Sequence, residues 1–164
     1  MYFNFIKETY EWSVEMYLIS ACLCGVNCKY NGGNNLNEKC LELFESGEGI
    51  LICPEQLGGL STPRIPAEIK GKASGVLNRI HKVINNKYED VSENFIKGAK
   101  EVLKIAKDNK INKAILKEGS PSCGVNFIYD GSFNSNKING CGVTTYLLKE
   151  NGISVISEEQ LGGK

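Results

Sequence analysis

The 164-residue chain has no excess of either charge: 19 lysine and arginine side chains meet 19 aspartates and glutamates. No run of five or more basic residues breaks that balance, so the electrostatic attraction that phosphate-backbone binding depends on is missing. A nucleic acid polymer is therefore disfavoured as a partner. Long apolar runs are also missing; the longest span only a few residues, against the roughly 18–20 that a membrane-crossing helix needs. No membrane partner is expected. The single histidine, His81, lies in a short apolar stretch and reads as a strand residue rather than a ligand. Residues 1–15 hold Lys7, Glu8, Glu11 and Glu15 and lack both a continuous apolar segment and a small-residue cleavage site, which argues against a signal peptide. They read as an N-terminal extension outside the core fold, with 16–164 forming the domain and the cytoplasm as its compartment.

What the chain does have is cysteine. Cys22, Cys24, Cys28, Cys40, Cys53, Cys123 and Cys141 make an odd count. Without an export signal they meet a reducing environment in which structural disulfides do not persist. Metal binding, catalysis or burial as small hydrophobes must account for them. With 41% apolar and 23% charged residues the composition is that of a soluble globular domain, large enough for one sizeable core.

Short apolar runs at 17–21, 50–53, 114–116 and 153–156 read as buried strands, each stopped by glycine, proline or asparagine. Helical spacing marks 37–46, with Cys40, Leu41 and Phe44 on one face, and 142–150. The clearest helix follows Asp90-Val-Ser-Glu93, which has capping-box spacing, and carries Phe95, Ile96, Ala99, Val102, Leu103 and Ala106 at three- and four-residue steps. Residues 56–72, with Gly58, Gly59, Pro63, Pro66 and Gly71, read as a long functional loop. Residues 79–88 suggest a strand and a turn, and 126–129 a short added strand. The alternation predicts an α/β fold: a single compact three-layer domain with a mainly parallel open sheet and helices on both faces.

Ligands of such sheets bind beyond the carboxyl ends of the strands. Cys22 follows the first strand, Cys53 ends the second, and Cys123 lies in the loop after the third. Neighbouring parallel strands would deliver all three to one edge, and three convergent thiolates suit a soft metal or an iron–sulfur cluster with one position left open. A local alternative is a zinc site from Cys22, Cys24 and Cys28 with Cys40, although that spacing matches neither zinc-knuckle pairs nor ferredoxin runs. Cys141, beside a helix start, is placed either for a lowered pKa or for packing, with packing the expected role. Lys117 and Glu118 read as solvated strand-end charges.

Ser20-Ala-Cys-Leu23, Tyr30-Asn-Gly32, Cys53-Pro-Glu55 with Gly58-Gly-Leu60 and Pro63-Arg64, Ser120-Pro-Ser-Cys-Gly124, Tyr129-Asp-Gly131 and Gly142-Val-Thr144 occur in that order. Together they resemble the DUF523 family, whose characterised members are thiouracil desulfidases. The match spans Met16 to Glu159. It implies a [4Fe–4S] cluster on three cysteines, here Cys22, Cys53 and Cys123, with the fourth iron open to the sulfur of a thiolated pyrimidine. Zinc is the alternative cofactor. The implied reaction is non-redox desulfuration, C=S becoming C=O with release of sulfide, on a small-molecule thiolated base or nucleoside. By the same resemblance Glu55 and Ser120 are the proton-handling pair, and Arg64 and Ser122 the substrate contacts. The chain departs from the family pattern at Cys24 and Cys28, where aliphatic residues are usual, at Lys29, Asn31 and Cys141. Two other classes compete: a non-catalytic module that binds or senses a cluster or zinc, and a thiol-based redox enzyme using Cys24 or Cys141.

Overall fold

The computed structural model describes residues 14–162. Residues 1–13, nearly all of the proposed N-terminal extension, lie outside them. In chain order the elements are β1 (Tyr17–Ser20), a 3-10 turn (Ala21–Cys24), α1 (Glu38–Glu45), β2 (Gly49–Ile52), α2 (Pro54–Leu57), β3 (Ala67–Lys70), α3 (Ala73–Leu77), β4 (Lys82–Asn85), α4 (Ser92–Asp108), β5 (Lys113–Leu116), β6 (Phe127–Tyr129), β7 (Lys137–Asn139), α5 (Val143–Glu150) and β8 (Ser154–Ser157). β1, β2, β5 and β8 form one parallel sheet in the order β2-β1-β5-β8. β3–β4 and β6–β7 are separate antiparallel pairs.

Side-chain alternation along the parallel strands explains the layers. Leu18, Ile52, Ala114, Leu116 and Val155 point to one face, where they pack with Val102 and Ala106 of α4 and Leu148 of α5. Ile19, Leu51, Ile115 and Ile156 point to the other, against Cys40 and Leu43 of α1 and Leu23 of the 3-10 turn. Helices thus cover both faces, as the sequence pattern predicts. The amino-terminal half of α4, through Phe95, Ile96 and Ala99, packs instead with Ile69 of β3, Val83 of β4 and Val76 of α3. Among the described residues no helix is long and apolar enough to cross a membrane.

Two local expectations need correction, and one further strand carries no sequence signal. The stretch 56–72 is not loop throughout: Pro54 starts α2, where its fixed φ and missing N–H cost nothing, and Ala67–Lys70 is a strand. That strand is only four residues long, and its hydrogen bonds come from β4, 12 or more residues away, so no local signal announces it. β7 is likewise short and wholly exposed. The capping box does not form: Asp90 Oδ1 accepts the Ser92 N–H at 3.0 Å, while Glu93 turns outward to pair with Arg79.

α2 and α4 meet backbone to backbone. A Cβ on Gly98 would sit 1.9 Å from the Pro54 carbonyl oxygen, and one on Gly58 2.0 Å from that of Asn94. Gly98→Ala would gain about 1 kcal/mol of helix propensity, but the clash with backbone outweighs it. The net expectation is a loss of about 2 kcal/mol, read as a fall in Tm of roughly 4–8 °C. An unchanged Tm would mean that α2 moves freely against α4.

Candidate active site

In the order 2-1-5-8 the direction in which successive strands are added reverses between β1 and β5, and it is at such a switch point that the carboxyl edge of an open sheet offers a crevice. A cavity of about 840 Å³ opens there, lined by Cys22, Cys53 and Cys123 together with Glu55, Ser120 and Arg64. The three cysteines follow β1, β2 and β5, which are adjacent strands.

Each is delivered by a different local device. After β1 the chain turns through the 3-10 segment and leaves it at Gly25, whose φ of 83° few other residues adopt. Asn35 N–H then returns to the Cys22 carbonyl at 2.9 Å, and the Asn35 side chain reaches the Cys22 sulfur. Cys53 occupies the residue before α2, where its sulfur accepts the Gln56 N–H. Cys123 belongs to a loop built around Ser120, whose Oγ accepts the N–H groups of Ser122 and Cys123, both at 3.1 Å.

Two supports hold that last loop. Gly142 fits where a Cβ would lie 2.3 Å from the Ser122 backbone, so the first turn of α5 comes close enough for Val143 N–H to reach the Pro121 carbonyl and Thr144 N–H that of Ser122, each at 2.9 Å. The otherwise orphaned helix donors are satisfied by the cysteine loop itself, and Thr145 Oγ1 donates to the Cys123 carbonyl at 2.9 Å. On the other side Glu118, only 4% exposed, accepts from Val125 N–H (2.7 Å), Asn126 N–H (2.9 Å) and Asn126 Nδ2 (2.7 Å). It is a buried loop anchor, not the solvated charge its position beside Lys117 suggests. Burial pushes its pKa up, but the converging amides outweigh this and the net direction is down.

A carboxyl held below its ordinary pKa stabilises the fold above the unfolded value, and that contribution fades as pH falls through the folded one. Glu118→Gln puts an amide donor among donors and removes charge-assisted bonds, at a cost of about 2–3 kcal/mol near neutral pH. Urea unfolding of the two proteins should show that gap at pH 7 and a shrinking one as Glu118 protonates. A gap independent of pH would refute the charge argument.

Glu55 is the hub of the cavity wall. Ser120 Oγ donates to Glu55 Oε1 at 3.4 Å, the Cys53 thiol approaches Oε2 at 3.7 Å, and Arg64 Nη2 stands 3.9 Å from Oε2. Arg64 is itself fixed, donating to the Cys28 carbonyl at 3.0 Å and to Thr62 Oγ1 at 3.1 Å. The pair is nearly buried. Ser122 does not join the site: it is fully buried, its Oγ has no partner, and it does not line the cavity. Its place as a substrate contact is withdrawn, because the turn that brings Ser120 and Cys123 to the cavity buries Ser122 away from it.

The thiols differ in acidity. Cys22 is lowered to about 7, chiefly by a hydrogen bond with Cys28, against burial and with help from Asn35. Cys53 is lowered by the same Cys28 contact. Burial raises Cys123 well above the ordinary thiol range, with Glu55 adding to it and the Ser20 hydroxyl opposing. Burial also raises Cys141, which packs against the α3–α5 core, so the lowered-pKa option for it fails. The local zinc arrangement fails too: Cys24 donates to the Cys40 carbonyl at 3.4 Å and both pack with the α1 core, away from the cavity. His81 accepts the Lys72 N–H at Nδ1, 3.0 Å away, a structural bond. Sequence reasoning missed Ser20, Asn35 and Gln56 as sulfur neighbours, although Ser20 lies within a motif; Cys28 it had placed beside Cys22 only through the local zinc alternative.

Among the described residues no three His, Cys, Asp or Glu side chains stand close enough to hold one metal ion. Zinc at about 2.3 Å from each thiolate would need sulfurs within roughly 4 Å of one another. A cluster attaches each cysteine to a different iron, so its ligands stand further apart. Three all-sulfur donors on three adjacent strand ends, facing one cavity, fit a cluster better than a lone ion.

Comparison with known proteins agrees. Residues 17–160 match the model of the family described as 2-thiouracil desulfurase. A Bacillus subtilis (strain 168) relative, named uncharacterized protein YbbK, is 48% identical over 147 residues, covering 89% of this chain and 97% of its own length. The solved structure of the [4Fe-4S]-dependent thiouracil desulfidase TudS (DUF523Vcz) superposes with a TM-score of 0.81 at 39% identity, covering 90% of this chain and 93% of that one.

Proposed function

Because the chain belongs to the 2-thiouracil desulfurase family, we propose that it replaces the C=S group of a thiolated pyrimidine of the 2-thiouracil kind by C=O and releases sulfide, without net electron transfer. Cys22, Cys53 and Cys123 would hold a [4Fe–4S] cluster. When bound, that cluster supplies a soft Lewis acid for the thiocarbonyl sulfur at its one iron without a strand-end cysteine.

The observation that carries this reading is the Ser120–Glu55 contact in the wall shared by the three cysteines. Hydrolysis needs a group to take a proton from the attacking water. Glu55 can accept it, and Arg64 at 3.9 Å steadies the carboxylate. The two N–H groups on Ser120 Oγ stabilise negative charge on that oxygen, so its hydroxyl is a ready donor to Glu55 and a relay towards the substrate. Aromatic side chains at Tyr30, Phe127 and Tyr129 border the cavity, whose volume accommodates a base or a nucleoside. Seven free thiols suit a reducing compartment such as the cytoplasm.

The test is direct. Anaerobically reconstituted protein is incubated with 2-thiouracil, and sulfide and uracil are measured together. Equimolar release supports the reading; an intact cluster with no turnover on any thiopyrimidine would assign the chain to the binding or sensing class.

A further inference from the structure

The β6–β7 hairpin supplies one wall of the cavity, and the function proposed above gives its side chains no separate roles. Tyr129 pairs with Lys137 and Phe127 with Asn139, so alternation puts Phe127, Tyr129 and Lys137 on one face of the hairpin and Ile128 on the other. Ile128 is buried in the core. Phe127, Tyr129 and Lys137 line the cavity.

This wall is held in register with the loop that carries Ser120. A Cβ on Gly119 would lie 3.0 Å from Phe127 Cε2 and 3.7 Å from Tyr129 Cε2, so both rings rest against the residue next to Ser120. Glu118 Oε1 accepts the Phe127 N–H at 3.3 Å, and the two rings stand edge to face with centroids 6.3 Å apart. The Lys137 ammonium lies over Phe127, 4.3 Å from its centroid. Of the cations lining the cavity, Arg64 faces Glu55 and Lys117 pairs with Glu158. No ion pair among the described residues takes Lys137. A flat apolar ring with an uncommitted cation beside it is complementary to a planar heterocycle bearing an electron-rich exocyclic oxygen.

We propose that Phe127 and Lys137 form the subsite for the pyrimidine ring. The ring lies against Phe127, and the ammonium, on its flexible stem, leaves the aromatic face to donate to the exocyclic oxygen that is not replaced in the reaction. Phe127 thereby sets the ring beside Ser120, and Lys137 selects a pyrimidine with that oxygen over one without it. The identity of the ring rests on the desulfuration reading of the preceding subsection.

The test titrates full-length, anaerobically reconstituted protein by calorimetry with uracil, the product, and with pyrimidin-2-one, which lacks the second exocyclic oxygen. Wild type should prefer uracil. Lys137→Met keeps an apolar stem and removes the charge; it should weaken uracil roughly 10-fold, the scale of one hydrogen bond to a charged group, and leave pyrimidin-2-one unchanged. Lys137→Arg should keep the preference. Phe127→Ala should weaken both ligands, again by roughly 10-fold, as loss of a stacking partner does; Phe127→Leu, which keeps most of the volume, should act in the same direction if the alanine variant fails to fold. Lys29→Met, which removes the cavity cation lying over Tyr30, should leave the preference intact. Equal effects of Lys137→Met on the two ligands, a preference lost only in Lys29→Met, or wild type that binds neither ligand would each overturn the subsite. Sulfide release from 2-thiouracil is measured on the same proteins. Turnover with no effect of Phe127 or Lys137 on binding removes the subsite and leaves the desulfuration; the expected binding pattern with no turnover on any thiopyrimidine keeps the subsite and removes the desulfuration.

Discussion

Glu55→Gln should slow sulfide release from 2-thiouracil by roughly 10²–10⁴-fold, the usual contribution of a positioned general base, while iron content stays at the wild-type level. The substitution preserves shape and leaves an oxygen able to accept the Ser120 hydroxyl, which stands 3.4 Å from the carboxylate. It removes the capacity to take a proton and the negative charge facing Arg64. Because Glu55 is not among the proposed ligands, rate and iron content separate the two ways it could matter. A slow enzyme with full iron supports the base; a slow enzyme without iron makes Glu55 a structural support; a fast enzyme hands proton removal to Ser120 or to water.

Removing Cys22 and Cys53 together should abolish the visible absorption of the reconstituted cluster and all measurable desulfuration. Only Cys123 and Cys28 would then face the cavity with sulfur, too few to hold a cluster. Both replaced side chains are only partly buried, so the protein should still fold, as a circular dichroism spectrum and cooperative unfolding would report. Iron retained by the folded double variant would show that the ligands lie elsewhere. Cys24→Ala, whose thiol packs with the α1 core, should keep both iron and activity.

The sequence made the sheet readable because Tyr17–Ser20, Gly49–Ile52 and Lys113–Leu116 are short apolar runs ending in residues that stop strands, and a buried parallel strand has that form. Once the strands are known, the placement of Cys22, Cys53 and Cys123 at one edge follows from connection rules alone. Other features depend on distant partners. Glu118 looks like any charge beside a lysine until the amides of 125–127 curl around it. Whether Ser122 or Ser120 faces the cavity turns on which hydroxyl collects the loop's N–H groups, a choice that two serines in one tetrapeptide leave open. Cys28 reads in the sequence as one more thiol of a local cluster, and only the fold shows that it lines the cavity of Cys22, Cys53 and Cys123.

The collar that α5 and the Glu118 carboxylate form around residues 119–127 is built within the polypeptide itself, its bonds running from one part of the chain to another. Zinc fingers stay unfolded until metal arrives and spend binding energy on ordering their backbone. Here the ordering bonds come from the chain's own amides and carboxylate, so the loop should keep its shape whether or not iron is bound. Amide exchange across these residues should therefore be as slow before loading as after it.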